Sequence, residues 1–502
     1  MAAIAPPRGH DGPVTATAPD ATHPAGAHRG AWRLRAPSLD TLFTAVFAVF
    51  GWGVGIERLS DNSFFWHLRT GGLILDSGIP HADPFSYTAE GTRWVAQSWL
   101  AEVIYAGIDR AVGPFGIRVF GGLVGVAITV LAFRLALRLA RDRVRAALLT
   151  VAALAALYTL WSERPLLLGI LFFLVLLWVV EVPDSLVGRH PWVSLPILFW
   201  CWANVHGTFA LGFAYLGLHV LGRWLEGRRP WEAGSRERTL VIGSVIAFAA
   251  CFLNPYGVSL VTFPVDLLRR GEALTGVIEW SSPDFHSVRG LAFALWVAVF
   301  VVVLAKARYR VGIRDLVVTV PFLLLGFWAL RNVAIAPLVC LPVAARAVAL
   351  DRHPERDPTL RLGWVFAGAL AFVALAMGIR ASGRADYALD SYPVKAMDAV
   401  EEQGLLGSRV LTDDADAGYV ILRYWPDQQV FMDDRFDMFP LPVIRDFTTV
   451  NGGTPGWDRV LDEHDVEVVV WGRDRVLSQL LRQSDDWTVT HRDADYLVFV
   501  RT

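Results

Sequence analysis

Long apolar stretches alternate with short polar connections over most of the chain, at about 39–55, 114–138, 144–161, 165–182, 191–205, 208–225, 239–253, 289–305, 315–330, 333–349 and 362–380. A bilayer core of roughly 30 Å asks for about 20 apolar residues per helix. The pattern therefore predicts an α-helical polytopic membrane protein with about eleven transmembrane helices. Two regions break the rhythm. Within residues 59–111, Phe64, Leu68 and Leu75, flanked by Phe65 and Gly72, share one helical face, with His67, Arg69 and Thr70 off it. That predicts a helix lying flat on the membrane surface. Pro80, Pro84 and Glu90-Gly91 then interrupt the pattern, and Tyr87–Val95 predicts a small hairpin. A second amphipathic helix starts near Ser98, with Trp99, Leu100, Val103, Ile104 and Ile108 on one side. From about Arg384, short apolar runs at 409–411, 430–432, 466–471 and 496–500 alternate with helical stretches such as 476–481, which predicts a small α/β domain. The expected division is a disordered tail over 1–36, a transmembrane domain over 37–382 with the loop 59–111, and a soluble α/β domain over 383–502.

Composition sharpens this only where charge is concerned. A net charge of -2 gives no global basic field, so no nucleic-acid partner is expected. Cys201, Cys251 and Cys340 lie inside apolar runs and form neither a disulfide framework nor a metal quartet. The first 30 residues are rich in Ala, Pro, Gly and His and lack the apolar core of a cleavable signal, so the first span reads as a signal anchor. Arginines decide orientation. Arg29, Arg33 and Arg35 precede the first span, Arg138 to Arg145 follow the second, Arg223 to Arg238 follow the sixth, and Lys306 to Arg314 and Arg346 to Arg361 keep the same parity. The positive-inside rule then puts the N-terminus in the cytoplasm, and the loop 59–111 and the C-terminal domain outside.

With that parity, nearly every connection holding unusual chemistry faces outward. Ionisable residues gathered at one end of membrane spans mark a functional site. An enzyme on the outer surface has no nucleotide supply, so its activated donor is lipid-linked. It needs a carboxylate to take a proton, cations for a phosphate, and a groove for an isoprenoid chain. Asp61 is the candidate base, although Asp61-Asn62-Ser63 also reads as the N-cap of the following helix. Asp83 is second, in a His-Ala-Asp-Pro-Phe stretch where Asp before Pro also shapes turns. Arg69, Arg164 and Arg331 are candidate phosphate clamps, each also readable as an interfacial arginine. His67 and His206 suit phosphate binding or proton transfer, and Glu102 and Asn332 lie in the same outward-facing connections. Glu279 and Trp280 form an acid–aromatic pair suited to a sugar ring, while Trp is also common at membrane interfaces. A divalent cation held by His67, His206 and Asp61 is a further option, which no HxxxH or HExxH spacing supports.

The segments DNSFFWHLRTGGLIL, PHADPFSYT, WANVHGTFALG, LNPYG, IEWSSPDF, RNVAIAP and GYVILRYWPDQQVFMDDRFDMF carry a resemblance covering residues 39–502. The chain resembles the GT-C glycosyltransferase superfamily, which includes protein O-mannosyltransferases, aminoarabinose transferases and oligosaccharyltransferases. More narrowly, it is similar to a bacterial branch of glycosyltransferase-like integral membrane proteins. The resemblance implies a plasma-membrane enzyme that transfers a sugar, with inversion, from a polyprenyl-phosphate donor to an external envelope glycan, lipid or protein. The first-loop acid, Asp61 with Asp83 second, is the implied base. The chain departs from the family in lacking an adjacent Asp-Glu pair after the first span and a WWDYG stretch. Two other readings fit the same pattern: a lipid or polysaccharide transporter, whose site would lie near the bilayer midplane, and a non-catalytic partner in envelope glycan assembly.

Overall fold

The computed structural model describes residues 36–274, 276–307, 309–349 and 359–502. Except for Ala36, the expected disordered tail lies outside the described residues, as do Arg29, Arg33, Arg35, Arg308, Arg352 and Arg356 of the arginine pattern.

The chain is mostly helical. Helix α1 (Leu39–Gly55) leads into α2 (Asn62–Ser77) and α3 (Trp99–Val112). Six apolar helices follow: α4 (Pro114–Ala140), α5 (Arg143–Tyr158), α6 (Leu166–Glu181), α7 (Pro191–Val205), α8 (Phe209–Leu225) and α9 (Arg236–Ala250). The connection after them carries α10 (Val258–Arg269) and a single turn, α11 (Gly271–Leu274). Then come α12 (Val288–Lys306), α13 (Ile313–Trp328), α14 (Ala336–Ala347) and α15 (Gly363–Ser382). Among the described residues four segments are long and apolar enough to cross a membrane: α4, α12, Leu330–Ala347 around α14, and α15. Helices α1, α6 and α8 are apolar but have 17, 16 and 17 residues. At 1.5 Å per residue such helices reach about 25 Å, short of the roughly 30 Å hydrocarbon core. Small residues let α1 and α4 touch backbone to backbone. A Cβ on Gly51 would lie 2.3 Å from the Gly125 carbonyl oxygen, so the seam tolerates no side chain there.

The first connection differs from expectation. Helix α2 is not laid out with a lipid-facing stripe; it packs against α3 and against the C-terminal α17 described below. His67 and Thr70, expected off the apolar face, are buried with Phe64 and Leu68, whereas Leu75 is exposed. A neighbouring protein layer, not lipid, covers this helix, and it buries polar side chains that find partners there. On α3 the deepest residues are Ala101, Glu102, Tyr105 and Ala106, one face round from the expected stripe. The hairpin is reduced to an isolated bridge between Ala82 and Arg93, and Tyr87 N–H instead donates to the Val430 carbonyl.

Beyond α15 lie α16 (Val394–Glu402), β1 (Val410–Leu411), α17 (Asp414–Tyr424), α18 (Leu441–Gly452), α19 (Trp457–Glu463), β2 (Val468–Gly472), α20 (Val476–Leu481), β3 (Trp487–Arg492) and β4 (Tyr496–Arg501). The strands form one sheet in the order β1-β2-β4-β3, parallel at β1/β2 and antiparallel elsewhere, with Val469 opposite Phe499. The apolar run 430–432 forms only isolated bridges, whereas β3, absent from the expected strands, has a four-residue apolar–polar alternation whose residues 488–490 are exposed.

Candidate active site

Between the ends of the apolar helices, the first connection and the C-terminal region lies a cavity of about 760 Å³. It is lined by His67 of α2, Glu102 of α3, Arg164 from the α5–α6 link and His206 from the α7–α8 link. Glu279 and Trp280, on a 3-10 turn before α12, and Arg331 and Asn332, on another before α14, complete its membrane-side wall. Of the residues singled out in the sequence, Asp61, Asp83 and Arg69 do not line it.

Asp61 has extended backbone and caps α2, accepting from Phe64 N–H at 3.1 Å. Both its oxygens also accept from Arg164 Nε, at 2.9 and 2.8 Å. Arg164 Nη1 donates to Glu279 at 2.6 Å. Burial works against the Arg164 charge, but Asp61, Glu279 and Asp434 outweigh it, and the guanidinium holds its proton above the usual arginine range. Asp83 is buried elsewhere. It accepts from Phe85 N–H, Ser86 N–H and hydroxyl, and Arg435 Nη2 at 2.7 Å, while Arg435 Nε is held by Asp433 at 2.8 and 3.0 Å. Arg69 stacks on Trp425 at 4.9 Å and donates to its carbonyl, joining α2 to the C-terminal region.

Arg331 is the exception among these cations. Its guanidinium lies over the Trp280 ring at 4.3 Å, and among the described residues its side chain makes no hydrogen bond or ion pair. Near it, His206 Nδ1 accepts from Thr208 N–H at 3.2 Å, which leaves the proton on Nε2. Burial, then the charges of Arg331 and Arg164, push His206 down to about 3, so it is neutral. Asn332 Nδ2 donates to the Leu325 carbonyl at 3.0 Å, fixing the turn that carries Arg331. An apolar groove of about 720 Å³ between α8 and α13, lined by Gly217, Leu218, Pro321 and Leu324, shares Leu325 and Trp328 with the cavity.

The opposite wall belongs to the C-terminal region. Asp434 accepts from Ser63 Oγ at 2.5 Å, Trp66 Nε1 at 2.6 Å and Asn62 Nδ2 at 3.1 Å. Burial pushes it up to about 6 against the pull of Arg164. Asp413 pairs with Arg475 at 2.7 Å, and Arg475 also donates to Asn451 at 3.0 Å. Of the run Asp433-Asp434-Arg435, only Asp434 lines the cavity. Asp437, Asn451 and Arg475 carried no signal: they come from separate segments and converge only through the fold. Among the described residues, no three His, Cys, Asp or Glu side chains converge on a metal position.

No family model and no curated protein matches the chain in sequence. Among solved structures it is similar to the archaeal oligosaccharyltransferase AglB from Archaeoglobus fulgidus, in complex with an inhibitory peptide and a dolichol-phosphate. That match has a TM-score of 0.53 and 12% identity, over 86% of this chain and 69% of that one. The Archaeoglobus fulgidus oligosaccharyltransferase in the apo form matches at 0.50 and 10%, over the same shares of 86% and 69%. ArnT from Cupriavidus metallidurans in the apo state matches at 0.44 and 16%, over 91% and 97%. These proteins are GT-C superfamily glycosyltransferases, and the likeness to AglB is one of fold.

Proposed function

We propose that this protein is a membrane glycosyltransferase that moves a sugar, with inversion, from a polyprenyl-phosphate-linked donor to a hydroxyl of an extracytoplasmic envelope glycan, lipid or protein. The observation that carries this reading is Arg331, a guanidinium in the cavity, stacked on Trp280, with no hydrogen bond or ion pair among the described residues, Glu279 and Asp437 acting on it only from longer range. A planar fork whose donors are all free is a site for an anion, and a phosphate matches its geometry. Arg164 borders the same space, and His206 adds a neutral Nε2–H donor. The apolar groove beside Leu325 and Trp328 has room for an isoprenoid chain leading away from that phosphate. AglB, whose fold this chain shares, was captured with a dolichol-phosphate, itself a polyprenyl phosphate.

In this reading Asp61 is a positioning residue that orients Arg164, since its oxygens are committed to that guanidinium and to the α2 cap. Asp83 leaves the catalytic set for the same kind of reason. Glu279 and Trp280 border the sugar. Helices α1, α4 to α9 and α12 to α15 are the membrane spans of a bacterial plasma-membrane protein, with the N-terminus cytoplasmic and residues 59–111 and 383–502 outside. A transporter is disfavoured because the ionisable groups gather at the ends of helices and in their links.

The test is mass spectrometry of lipids that copurify in mild detergent. Wild type is expected to retain a polyprenyl-phosphate sugar or polyprenyl phosphate, and Arg331→Gln to lose it while melting normally. Only bulk phospholipid on both proteins would overturn the reading.

A further inference from the structure

We infer that His67 and Glu102 form the group that takes the proton from the acceptor, His67 as the catalytic residue and Glu102 as the residue that holds it in place. This deepens the glycosyl-transfer reading and rests on it. Of the other carboxylates on the cavity wall, Glu279 is held by Arg164, Asp434 by three donors and Asp413 by Arg475, while burial pushes Asp414 and Asp437, on the C-terminal side, up toward the neutral form. The His67–Glu102 pair has one face free.

His67 Nδ1 lies 2.7 Å from Glu102 Oε1, and both residues border the cavity. Among the described residues His67 Nε2 has no hydrogen-bond partner, and it is not one of the polar atoms sealed from solvent. One nitrogen is thus fixed and the other is open to the cavity, the arrangement a general base requires. The neighbouring backbone sets that distance. A Cβ on Gly71 would sit 2.0 Å from the Glu102 carbonyl oxygen, so the glycine lets α2 approach α3 here. His67 lies one turn earlier on the same face.

During transfer the acceptor O–H bond breaks and its proton goes to Nε2. The acceptor oxygen bonds to the anomeric carbon of the sugar, and the bond from that carbon to the phosphate oxygen breaks. The electron pair leaves with the polyprenyl phosphate, between Arg331 and Arg164. The Nδ1 proton passes to Glu102, so no isolated imidazolium has to persist in a buried site. Burial favours that end point. It pushes Glu102 well above the usual carboxylate range, with Arg435 opposing, and holds His67 well below the usual imidazole range, helped by Arg164, His206 and Arg435. Glu102 Oε2 is buried without a partner, which suits a group that becomes a neutral carboxyl. The hydroxyls of Tyr105 and Tyr256 are the other ionisable groups that feel Glu102. The pair acts as a base only when it carries a single proton, so turnover rises with pH through its ionisation and then levels.

The experiment uses the full chain in lipid nanodiscs with a polyprenyl-phosphate-linked hexose as donor, reading release of polyprenyl phosphate against pH, with donor binding and melting measured on the same samples. Wild type is expected to gain about tenfold per pH unit below the ionisation of the pair. His67→Gln is expected to lose about 100-fold or more above the ionisation of the pair, and with it the rise with pH, while still binding donor. Glu102→Gln is expected to keep part of the rate with a displaced pH profile, which a merely structural role would not produce. Wild-type rates and profiles in both variants would overturn the role of the pair and leave glycosyl transfer standing. A wild-type protein that neither binds nor consumes the lipid-linked hexose would overturn both.

Discussion

Two arginines stacked on tryptophan, one in the wall of the cavity and one in the seam between the first connection and the C-terminal region, have opposite meanings. Arg435 lies 4.5 Å over Trp94 and is held by Asp433 and Asp83, all three fully buried. Arg331 lies 4.3 Å over Trp280 and, among the described residues, makes no ion pair; Glu279 and Asp437 reach it only from longer range. Aromatic stacking is common to both, so it does not distinguish a structural cation from a binding one. The counter-ion does. In the seam the charges are satisfied within the protein, and the result is a fixed joint that holds the C-terminal wall against α2. At the cavity Arg331 makes no ion pair within the protein among the described residues, and its donors are left for a ligand. Asp61 and Glu102 repeat the lesson among the acids: Asp61 is occupied on both oxygens, whereas one oxygen of Glu102 has no partner.

Arg435→Met tests the seam and should show the largest effect. It leaves Asp83 and Asp433 buried without their cation, which costs about 3–5 kcal/mol. Thermal melting in detergent should fall steeply, and a wild-type melting curve would break the comparison. Arg331→Gln should do the reverse, leaving melting within about 0.5 kcal/mol of wild type while slowing consumption of a polyprenyl-phosphate sugar by about 100-fold. Asp61 sharpens the distinction between a cap and a site. Asp61→Ala should cost about 1 kcal/mol of stability and Asp61→Asn much less, because asparagine also caps helices. Both should slow transfer to a similar extent, because each releases Arg164. A variant pair whose transfer rates follow their melting temperatures would reduce Asp61 to a cap.

The smallest effect is a pH dependence at the seam. Burial raises Asp434 from 3.8 to about 6, so the folded protein binds a proton there that the unfolded chain does not. Its stabilising contribution is complete below 3.8 and is lost as pH rises through about 6. Melting temperature should fall across that window, and Asp434→Asn should flatten the slope.

The apolar helices were legible along the chain because hydrophobic length is a local property, and so were Arg164, Arg331 and the two histidines, which stand out as ionisable groups in short links. The first connection misled for an equally physical reason. Its apolar spacing suits lipid as well as protein, and nothing in residues 62–77 announces that α17, some 350 positions later in the chain, covers the helix and buries His67 and Thr70. Strand β3 was missed because its alternation, Trp487 and Val489 against Thr488 and Thr490, lasts only four residues before His491 and Arg492.

Sequence by itself determined that this is a helical chain of apolar segments, four of them among the described residues long enough to cross a membrane, and which links carry charge, since both follow from the order of side chains. Tertiary structure decided which of those charges are spent and which are available. Asp61 meets its arginine 103 positions away, His67 meets Glu102 after 35, and Asp83 meets Arg435 after 352. Pairing energies depend on distances of a few ångströms, and only the packed fold sets those distances.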